Sequence, residues 1–246
     1  MINFLRKLRR KEMKGAKYLK YAFGEIFLVV IGILIALSIN NWNTGRQQKK
    51  ELKGYLEKIA SNMEQDMALA EEYLARRDSS QKLCLQALET ISRGEVDLGM
   101  FAATSSVFVE YYFIANKSGF EALTASGYIG KLKNDKVDSL LNQYYFTMNK
   151  LEQEEASYNN FIESMEAQWM GNYSVATLLE GFDVQTGQIK DIKSFNENLM
   201  KNKKLILNEP VEAVILRGAT ELAPHGFYKE LIKTGRAFIE EVEKMK

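Results

Sequence analysis

The chain has 246 residues, of which 46% are hydrophobic and 26% charged, and its formal net charge is +1. This composition is typical of a protein with a hydrophobic core and excludes a disordered or collagen-like chain. One Cys and one His exclude an intramolecular disulfide and a structural zinc site, and we expect no metal or other cofactor. With only 2 Pro and 16 Gly, the sequence favours long helices over a fold of many strands.

The charge is unevenly distributed along the chain. Residues 1–43 carry eight Lys or Arg and two Glu, a net charge of +6, so the remainder has a net charge of −5. We predict that residues 1–20 form a basic cytoplasmic tail that contacts anionic lipid headgroups. Because the part of the chain with the core is acidic, we predict no nucleic-acid partner.

An uninterrupted apolar stretch follows the basic tail. Its central part, residues 26–39, contains fourteen residues without a charge. A helix over residues 21–41 would be roughly 31 Å long at about 1.5 Å per residue, which matches the hydrocarbon thickness of a bilayer. Trp42 follows it, and indole rings prefer the headgroup level, so Trp42 is the expected interface anchor. The sequence therefore predicts a transmembrane helix over residues 21–42 and a lipid bilayer as the first partner.

Two other interpretations of this stretch remain. It would be a cleaved secretion signal if Ala36-Leu37-Ser38 served as the cleavage site. It would be a buried helix of a soluble domain only if the rest of the chain covered every face. Eight Lys or Arg precede the span and five lie in the twenty residues after Trp42, which predicts a cytoplasmic N-terminus. In a bacterium, the protein would cross the inner membrane once, with residues 43–246 in the periplasm.

Small and polar residues lie near one face of the predicted span. Gly32 and Ala36 would let a second helix approach closely, and Glu25 and Asn40 could form hydrogen bonds across to it. We therefore expect a homo-oligomer, or packing against another membrane or periplasmic protein. The alternative is that these are ordinary span residues and that Glu25 pairs with Lys20 or a lipid amine at the interface.

Beyond a candidate joint at residues 43–46, apolar residues recur in steps of three and four from Leu52 to Ile91, which predicts a helix ending at Gly94. Arg77 and Gln81 interrupt this stripe, and Cys84 lies on it as a small core residue. Residues 101–115 are consistent with a helix or a strand.

Cap and breaker residues predict the later elements. Ser118 and Glu121 match a capping box, and Asn134 is the expected cap of a helix to about Trp169. Residues 171–193 are expected to form a loop without regular structure. Further helices are predicted near residues 195–205, from Pro210 onward, and, after an interruption at Pro224, to about residue 245. The predicted fold is all-α: one transmembrane helix and an extracytoplasmic bundle of three or four long helices.

Two segments of the chain resemble a known family. The stretch from Tyr21 to Asn43 contains Gly-Glu-Ile-Phe-Leu-Val-Val-Ile-Gly-Ile-Leu-Ile-Ala-Leu and follows a short basic tail. It is similar to the N-terminal segment of a family of single-pass bacterial membrane proteins known as a domain of unknown function. The segment from Gly119 to Asn134 is similar to that family's aromatic-Glu-x-Leu-x-x-Ser-Gly segment. The resemblance implies location and architecture, but it brings no activity and no catalytic residues.

The residues offer little support for catalysis. The usual nucleotide-binding, hydrolase and metalloprotease motifs do not occur. The only histidine, His225, lies in a turn-like Ala-Pro-His-Gly segment, where an exposed or hydrogen-bonded imidazole is expected. Two acidic runs are interpreted as solvated helix faces: Glu152, Glu154 and Glu155, and Glu240, Glu241 and Glu243. We therefore expect a protein that is not an enzyme.

Aromatic residues are concentrated in the middle of the chain. Most should lie in the core, but tyrosines with one exposed end also line binding grooves. The candidates for such a surface are Tyr112, Tyr128, Tyr144 and Tyr145. The sequence as a whole favours a membrane-anchored periplasmic interaction or scaffold protein that self-associates. The alternative is a periplasmic ligand-binding or sensor module that acts through a separate membrane partner.

Overall fold

The computed structural model describes residues 2–183 and 185–245, and about 81% of the chain is helical. The α-helices are α1 (Ile2–Ser92), α2 (Leu98–Val107), α3 (Ser118–Ala125), α4 (Asp135–Asn172), α5 (Ile192–Lys201), α6 (Glu209–Thr220) and α7 (Ala223–Glu243). Two short strands, β1 (Phe182–Asp183) and β2 (Gln188–Ile189), pair antiparallel. The predominantly helical fold is therefore as predicted.

The chain divides into two compact units, Met1–Gly54 and Tyr55–Lys246. In the first unit, α1 continues through residues 43–46, where the sequence predicted a joint. That prediction was wrong because a single glycine, Gly45, costs a helix only about 1 kcal/mol. The predicted lipid contacts of residues 1–20 depend on side chains that lie outside the described ones.

The apolar stretch in the first unit is exposed, except for the half-buried Ile31. An 18-residue window within it has a mean hydropathy of 2.6, and none of that window is buried. Large side chains such as Leu28 and Ile39 are 69% and 60% exposed. By length and composition, this segment is either a membrane span or a signal sequence.

The second unit has its own hydrophobic core. Leu56, Ile59 and Met63 of α1 are buried at the predicted helical spacing. Cys84 is also fully buried, and burial raises the pKa of its thiol to about 11. This agrees with the prediction that Cys84 is a small core residue. The helix ends close to the expected position, at Gly94, whose φ of 65° needs a residue without a Cβ.

The undecided stretch 101–115 is part helix and part extended chain. Helix α2 begins at a cap, since Asp97 Oδ1 accepts a hydrogen bond from Met100 N at 2.7 Å. After α2, the chain runs extended, and its backbone is held by buried side chains instead of a neighbouring strand. Asn159 Nδ2 donates to Tyr111 O at 2.8 Å, and Asn116 N donates to Asp66 Oδ1 at 2.9 Å.

Helix α3 begins at the predicted place but by a different mechanism. The hydroxyl of Ser118 does not cap the helix; it lies 3.3 Å from Asn62 Oδ1 on α1. The same oxygen accepts a hydrogen bond from Gly119 N at 3.0 Å. The capping-box prediction was therefore wrong, because Asn62 of a neighbouring helix provides the acceptor.

The later helix boundaries agree with the cap residues in the sequence. Asn134 Oδ1 accepts hydrogen bonds from Lys136 N and Val137 N at the start of α4. Asn208 Oδ1 accepts one from Val211 N at 3.2 Å at the start of α6. Between α6 and α7 the helix is interrupted, and Pro224 lies in the first turn of α7, where it needs no hydrogen-bond partner.

Residues 171–193 contain more regular structure than predicted. A 3-10 helix over Val175–Leu179 precedes the β1–β2 hairpin. Asp183 Oδ1 accepts hydrogen bonds from the backbone of Gln185 and Thr186, and Gly187 has a φ of 69°. A turn closed by hydrogen bonds between a side chain and the backbone can form a hairpin whose strands have no alternating apolar residues. The hairpin was therefore not predicted from the pattern of apolar residues.

Gly119 offers a test of the α1–α3 contact. A Cβ at this position would lie 2.8 Å from Asn62 Oδ1 and 3.0 Å from Ile59 N. We expect Gly119→Ala to lower the free energy of unfolding by about 1–3 kcal/mol through overpacking. Gly130→Ala is the matched control, because a Cβ there meets nothing within 4 Å. Urea unfolding followed by circular dichroism measures both, and equal stability of the two variants would contradict the contact.

Candidate functional site

A buried polar cluster lies where α1, α4 and α7 meet. Arg77 is 5% exposed and Glu155 is 2% exposed. Arg77 Nε donates to Glu155 Oε1 at 3.1 Å, and Arg77 Nη2 donates to Glu155 Oε2. The hydroxyl of Tyr228 donates to Glu155 Oε1 at 2.7 Å. This bidentate pair with a third donor satisfies both carboxylate oxygens.

Two aromatic rings lie close to the Arg77 guanidinium. Its Cζ lies 4.7 Å from the ring centroid of Tyr111 and 4.6 Å from that of Tyr158. Rings at this distance attract the cation through their quadrupole, and planar stacking suits arginine better than lysine. The charge of Arg77 is therefore balanced by the Glu155 carboxylate and by two neighbouring aromatic rings.

Burial controls the protonation states in this cluster. Burial raises the pKa of Glu155, and the positive charge of Arg77 opposes that rise. Burial also raises the pKa of the Tyr228 phenol, so this hydroxyl keeps its proton and remains a donor. The groups hold one another in place across three helices.

His225 lies beside this cluster. Its position in a turn was predicted incorrectly. It is part of α7, not of a turn, and is only 6% exposed. Its Nε2 lies 3.4 Å from Asp78 Oδ1, and neither ring nitrogen makes a hydrogen bond of normal geometry. Burial lowers the pKa of His225, so the imidazole is neutral at pH 7.

A small polar cavity adjoins His225. Its volume is about 10 Å³, close to the minimum that one water molecule needs. Its lining combines charged, hydroxyl and aromatic groups: Arg77, Ser80, Ser106, Tyr111, Tyr158, Gly218, Glu221 and His225. Among the described residues, no group of three His, Cys, Asp or Glu is placed to hold a metal ion.

Two of the four candidate tyrosines for a binding surface lie in the core. Tyr144 is fully buried, and its hydroxyl donates to Asp66 Oδ2 at 3.2 Å. Tyr145 is 7% exposed, and the ring of Phe120 stacks on it with centroids 4.0 Å apart. Burial raises the pKa of both phenols. These side chains connect α4 with α1 and α3.

The other two candidate tyrosines are accessible but separate. Tyr112 is 53% exposed, and its hydroxyl donates to Glu110 Oε2 at 2.6 Å. Tyr128 is half-buried, and Lys131 Nζ lies 4.4 Å from its ring centroid. The four tyrosines therefore do not form one surface, because the apolar periodicity of α4 turns Tyr144 and Tyr145 inward.

The larger surface depression is a groove between α1 and α7, with a volume of about 520 Å³. Its lining consists of a short apolar floor and charged rims: Glu71, Leu74, Lys229, Ile232, Lys233, Arg236, Ala237 and Glu240. Arg236 Nη2 donates to Glu71 Oε1 at 2.6 Å across it. We name this feature the α1–α7 groove.

The residues predicted to pack in the membrane all lie in the first unit. Glu25, Gly32, Ala36 and Asn40 are accessible or nearly so, and a Cβ added at Gly32 would meet nothing within 4 Å. Trp42 is 67% exposed, and the guanidinium of Arg46 lies 5.9 Å from its ring. Packing of this face against a second helix stays a prediction.

Glu155 was predicted to lie on a solvated helix face, and that prediction was wrong. Glu155 lies four residues after Leu151 and three before Tyr158, both of which are buried. Arg77 likewise falls on the apolar stripe of α1. The available signal was therefore the position of each charge within an apolar repeat, which marks the two residues as a buried pair of opposite charge.

Removing one partner should destabilise the second unit strongly. We expect Glu155→Ala to lower the free energy of unfolding by about 3–5 kcal/mol, because Arg77 would remain buried without a counter-charge. The double variant Arg77→Met with Glu155→Leu should recover most of that loss. The matched control is Glu152→Ala, which removes only a half-exposed pair with Lys117. Similar losses for Glu155→Ala and Glu152→Ala, measured by urea unfolding, would refute the assignment.

Acidification should destabilise the protein through His225. Its folded-state pKa lies below the unfolded value of 6.5, so the unfolded chain binds the proton first as the pH falls. The free energy of unfolding should therefore decrease as the pH falls through about 6.5 and level off below the folded-state pKa. The groups facing the ring are Asp78, Arg77 and Lys229.

Comparison with His225→Gln isolates this effect, because all other ionisable groups are common to both proteins. We expect the wild type to lose more stability than the variant between pH 7.5 and pH 5. Parallel stability profiles would show that His225 is protonated equally in the folded and unfolded states.

Comparison with known proteins places the chain in a family. No curated protein and no solved structure matches it. A family of unknown function, DUF6090, matches over residues 25–167, which is more than half of the chain. The match includes most of the apolar stretch and the whole segment from Gly119 to Asn134, the two regions on which the resemblance was based. The chain belongs to the DUF6090 family.

Proposed function

We propose that the protein is a membrane-anchored helical interaction protein that acts as a scaffold and not as an enzyme. A single span over residues 21–42 anchors it in a bacterial inner membrane. The basic tail lies in the cytoplasm, and the second unit works in the periplasm. Copies of the chain associate with one another and with other membrane or periplasmic proteins.

The observation that carries this proposal is the exposure of the apolar stretch. Between Phe23 and Ile39 every residue is exposed except Ile31, which is half-buried. Burying one such side chain is worth about 1.5–3 kcal/mol, so an apolar surrounding would stabilise the stretch strongly. A bilayer provides it over the correct length.

The charge on either side of the stretch supports the proposed orientation. Eight Lys or Arg precede it, and five follow in the next twenty residues after Trp42. Segments rich in Lys and Arg are retained on the cytoplasmic side.

The chemistry of the second unit supports binding over catalysis. Two of the ionisable groups with shifted pKa values, Glu155 and Tyr144, are hydrogen-bonded to partners in the packed interior. Catalytic groups of shifted pKa normally face a cleft large enough for substrate. Here the cavity beside His225 has room for about one water molecule.

A sensor or ligand-binding module is the second candidate, and the α1–α7 groove is the feature that favours it. Its volume of about 520 Å³ lies within the range of small-molecule sites. The two candidates differ in what the full-length protein retains after detergent extraction. A stable stoichiometric protein partner favours the scaffold, and a retained small molecule favours the sensor.

Membrane anchoring can be tested with a pair of charge variants. The full-length protein should remain in the membrane pellet after alkaline carbonate extraction. Ile33→Arg with Leu37→Arg should move it to the supernatant, since each central Arg costs about 2.5–3.5 kcal/mol on insertion scales. Gln47→Arg with Gln48→Arg adds the same charge beyond the stretch and should leave the protein in the pellet.

Protease treatment of intact spheroplasts tests the orientation in the same experiment, because it should digest a C-terminal tag. Wild-type protein in the carbonate supernatant, or a mature N-terminus within residues 36–40, would contradict anchoring. A tag protected in spheroplasts and digested only after lysis would contradict the proposed orientation.

A further inference from the structure

The α1–α7 groove has two walls of different charge. On α1 the groove is lined by Glu71 and Leu74. On α7 it is lined by Lys229, Lys233 and Arg236, which recur at helical spacing. Lys233 and Arg236 are 78% and 64% exposed at the side chain, so the basic wall is open to solvent. A partner that fits this groove needs an acidic edge beside a small apolar strip.

A second copy of the chain has such a surface. A two-fold axis along the groove sets α1 of one copy against α7 of the other, and each acidic wall then faces a basic wall. Glu71 of each copy comes level with Arg236 of the other, because these residues are already level within one copy, 2.6 Å apart. Leu74 and Ile232 meet across the same axis.

The other two-fold arrangement is disfavoured by charge. An axis across the groove would set α7 against α7, so that Lys233 and Arg236 of the two copies share one surface. It would also bring the two Glu71 side chains onto one surface. Like charges opposed across an interface suppress that pairing. Glu240 is an acidic residue on the α7 wall and lies one turn beyond Arg236. In the favoured arrangement it lies next to the ion pair of Glu71 with Arg236 and does not come between the two side chains.

We propose that the α1–α7 groove is the contact surface between two parallel copies of this chain, which form a four-helix interface of two α1 and two α7 helices. The proposal refines the self-association in the proposed function and rests on it. The apolar floor is small, so the contact is weak in isolation. Confinement of both copies to one membrane raises their effective concentration and makes such a contact productive.

Complementary charge reversals test the proposal in the full-length protein reconstituted in lipid vesicles, where both copies share one membrane. Glu71→Arg and Arg236→Glu each oppose like charges in their own homodimer. Each should raise the dimer dissociation constant by about tenfold, measured by energy transfer between labelled copies over a range of protein-to-lipid ratios. Mixing the two variants should restore dimers, because Arg at position 71 of one copy then faces Glu at position 236 of the other.

The mixing step separates a contact between copies from one within a copy. Both single variants lose the internal pair of Glu71 with Arg236 equally, so an internal role alone predicts no preference for the mixed dimer. Two different affinity tags report the mixed species directly. The matched control is Glu72→Arg, the adjacent residue on α1, which pairs with Arg76 and does not line the groove. It should leave dimerisation unchanged.

The outcomes distinguish failure of the groove contact from failure of self-association as a whole. Wild-type dimers that persist in Arg236→Glu, or single variants that stay monomeric after mixing, would overturn the groove contact. In the first case, self-association through another surface, such as the membrane helix, would still stand. A wild-type chain that is monomeric at every accessible concentration would overturn both the groove contact and self-association.

Discussion

The constraint on which the rest of the structure depends is that water is a poor solvent for the side chains between Phe23 and Ile39. A helix forms the hydrogen bonds of its own backbone, but it cannot bury apolar side chains that point outward on every face. The second unit has a hydrophobic core of its own, and the residues of the stretch are exposed apart from the half-buried Ile31. The proposed membrane location rests on this exposed apolar stretch.

The second unit contains charged side chains in its interior. Arg77 and Glu155 lie on the buried stripes of two long helices, and Tyr228 of a third helix joins them. An ion pair of this kind adds little stability over apolar residues of similar volume, but it disfavours other registers in which a charge would lack its partner. We infer that it fixes the relative placement of α1, α4 and α7.

The sequence predicted helix boundaries best where a single residue decides them. Asn134, Asn208 and Pro224 act at the predicted places because capping and proline geometry are local. Prediction failed where the partner is distant along the chain. Asn62, whose side-chain oxygen accepts the hydrogen bond from the Ser118 hydroxyl, lies 56 residues from Ser118 along the chain. Glu155, which pairs with Arg77, lies 78 residues from it. Local propensity contains no information about such partners.

The candidate site residues were predicted less well than the helix boundaries. Tyr144 and Tyr145 were considered for a surface because of their side-chain chemistry, whereas their position in the α4 repeat places them inside. The extended chain before α3 could not be predicted, because side chains of Asp66 and Asn159 replace its missing strand partner. At the start of the segment from Gly119 to Asn134, Gly119 permits the close approach of α3 to α1.

Depth-resolved fluorescence of Trp42 tests membrane insertion most directly. In a Trp169→Phe background, Trp42 is the only indole in the chain. In reconstituted vesicles, lipids brominated near the headgroup should quench its emission strongly, and lipids brominated near the acyl-chain end should quench it weakly. Emission that is unaffected by bromine at any depth would place Trp42 in water and contradict the account.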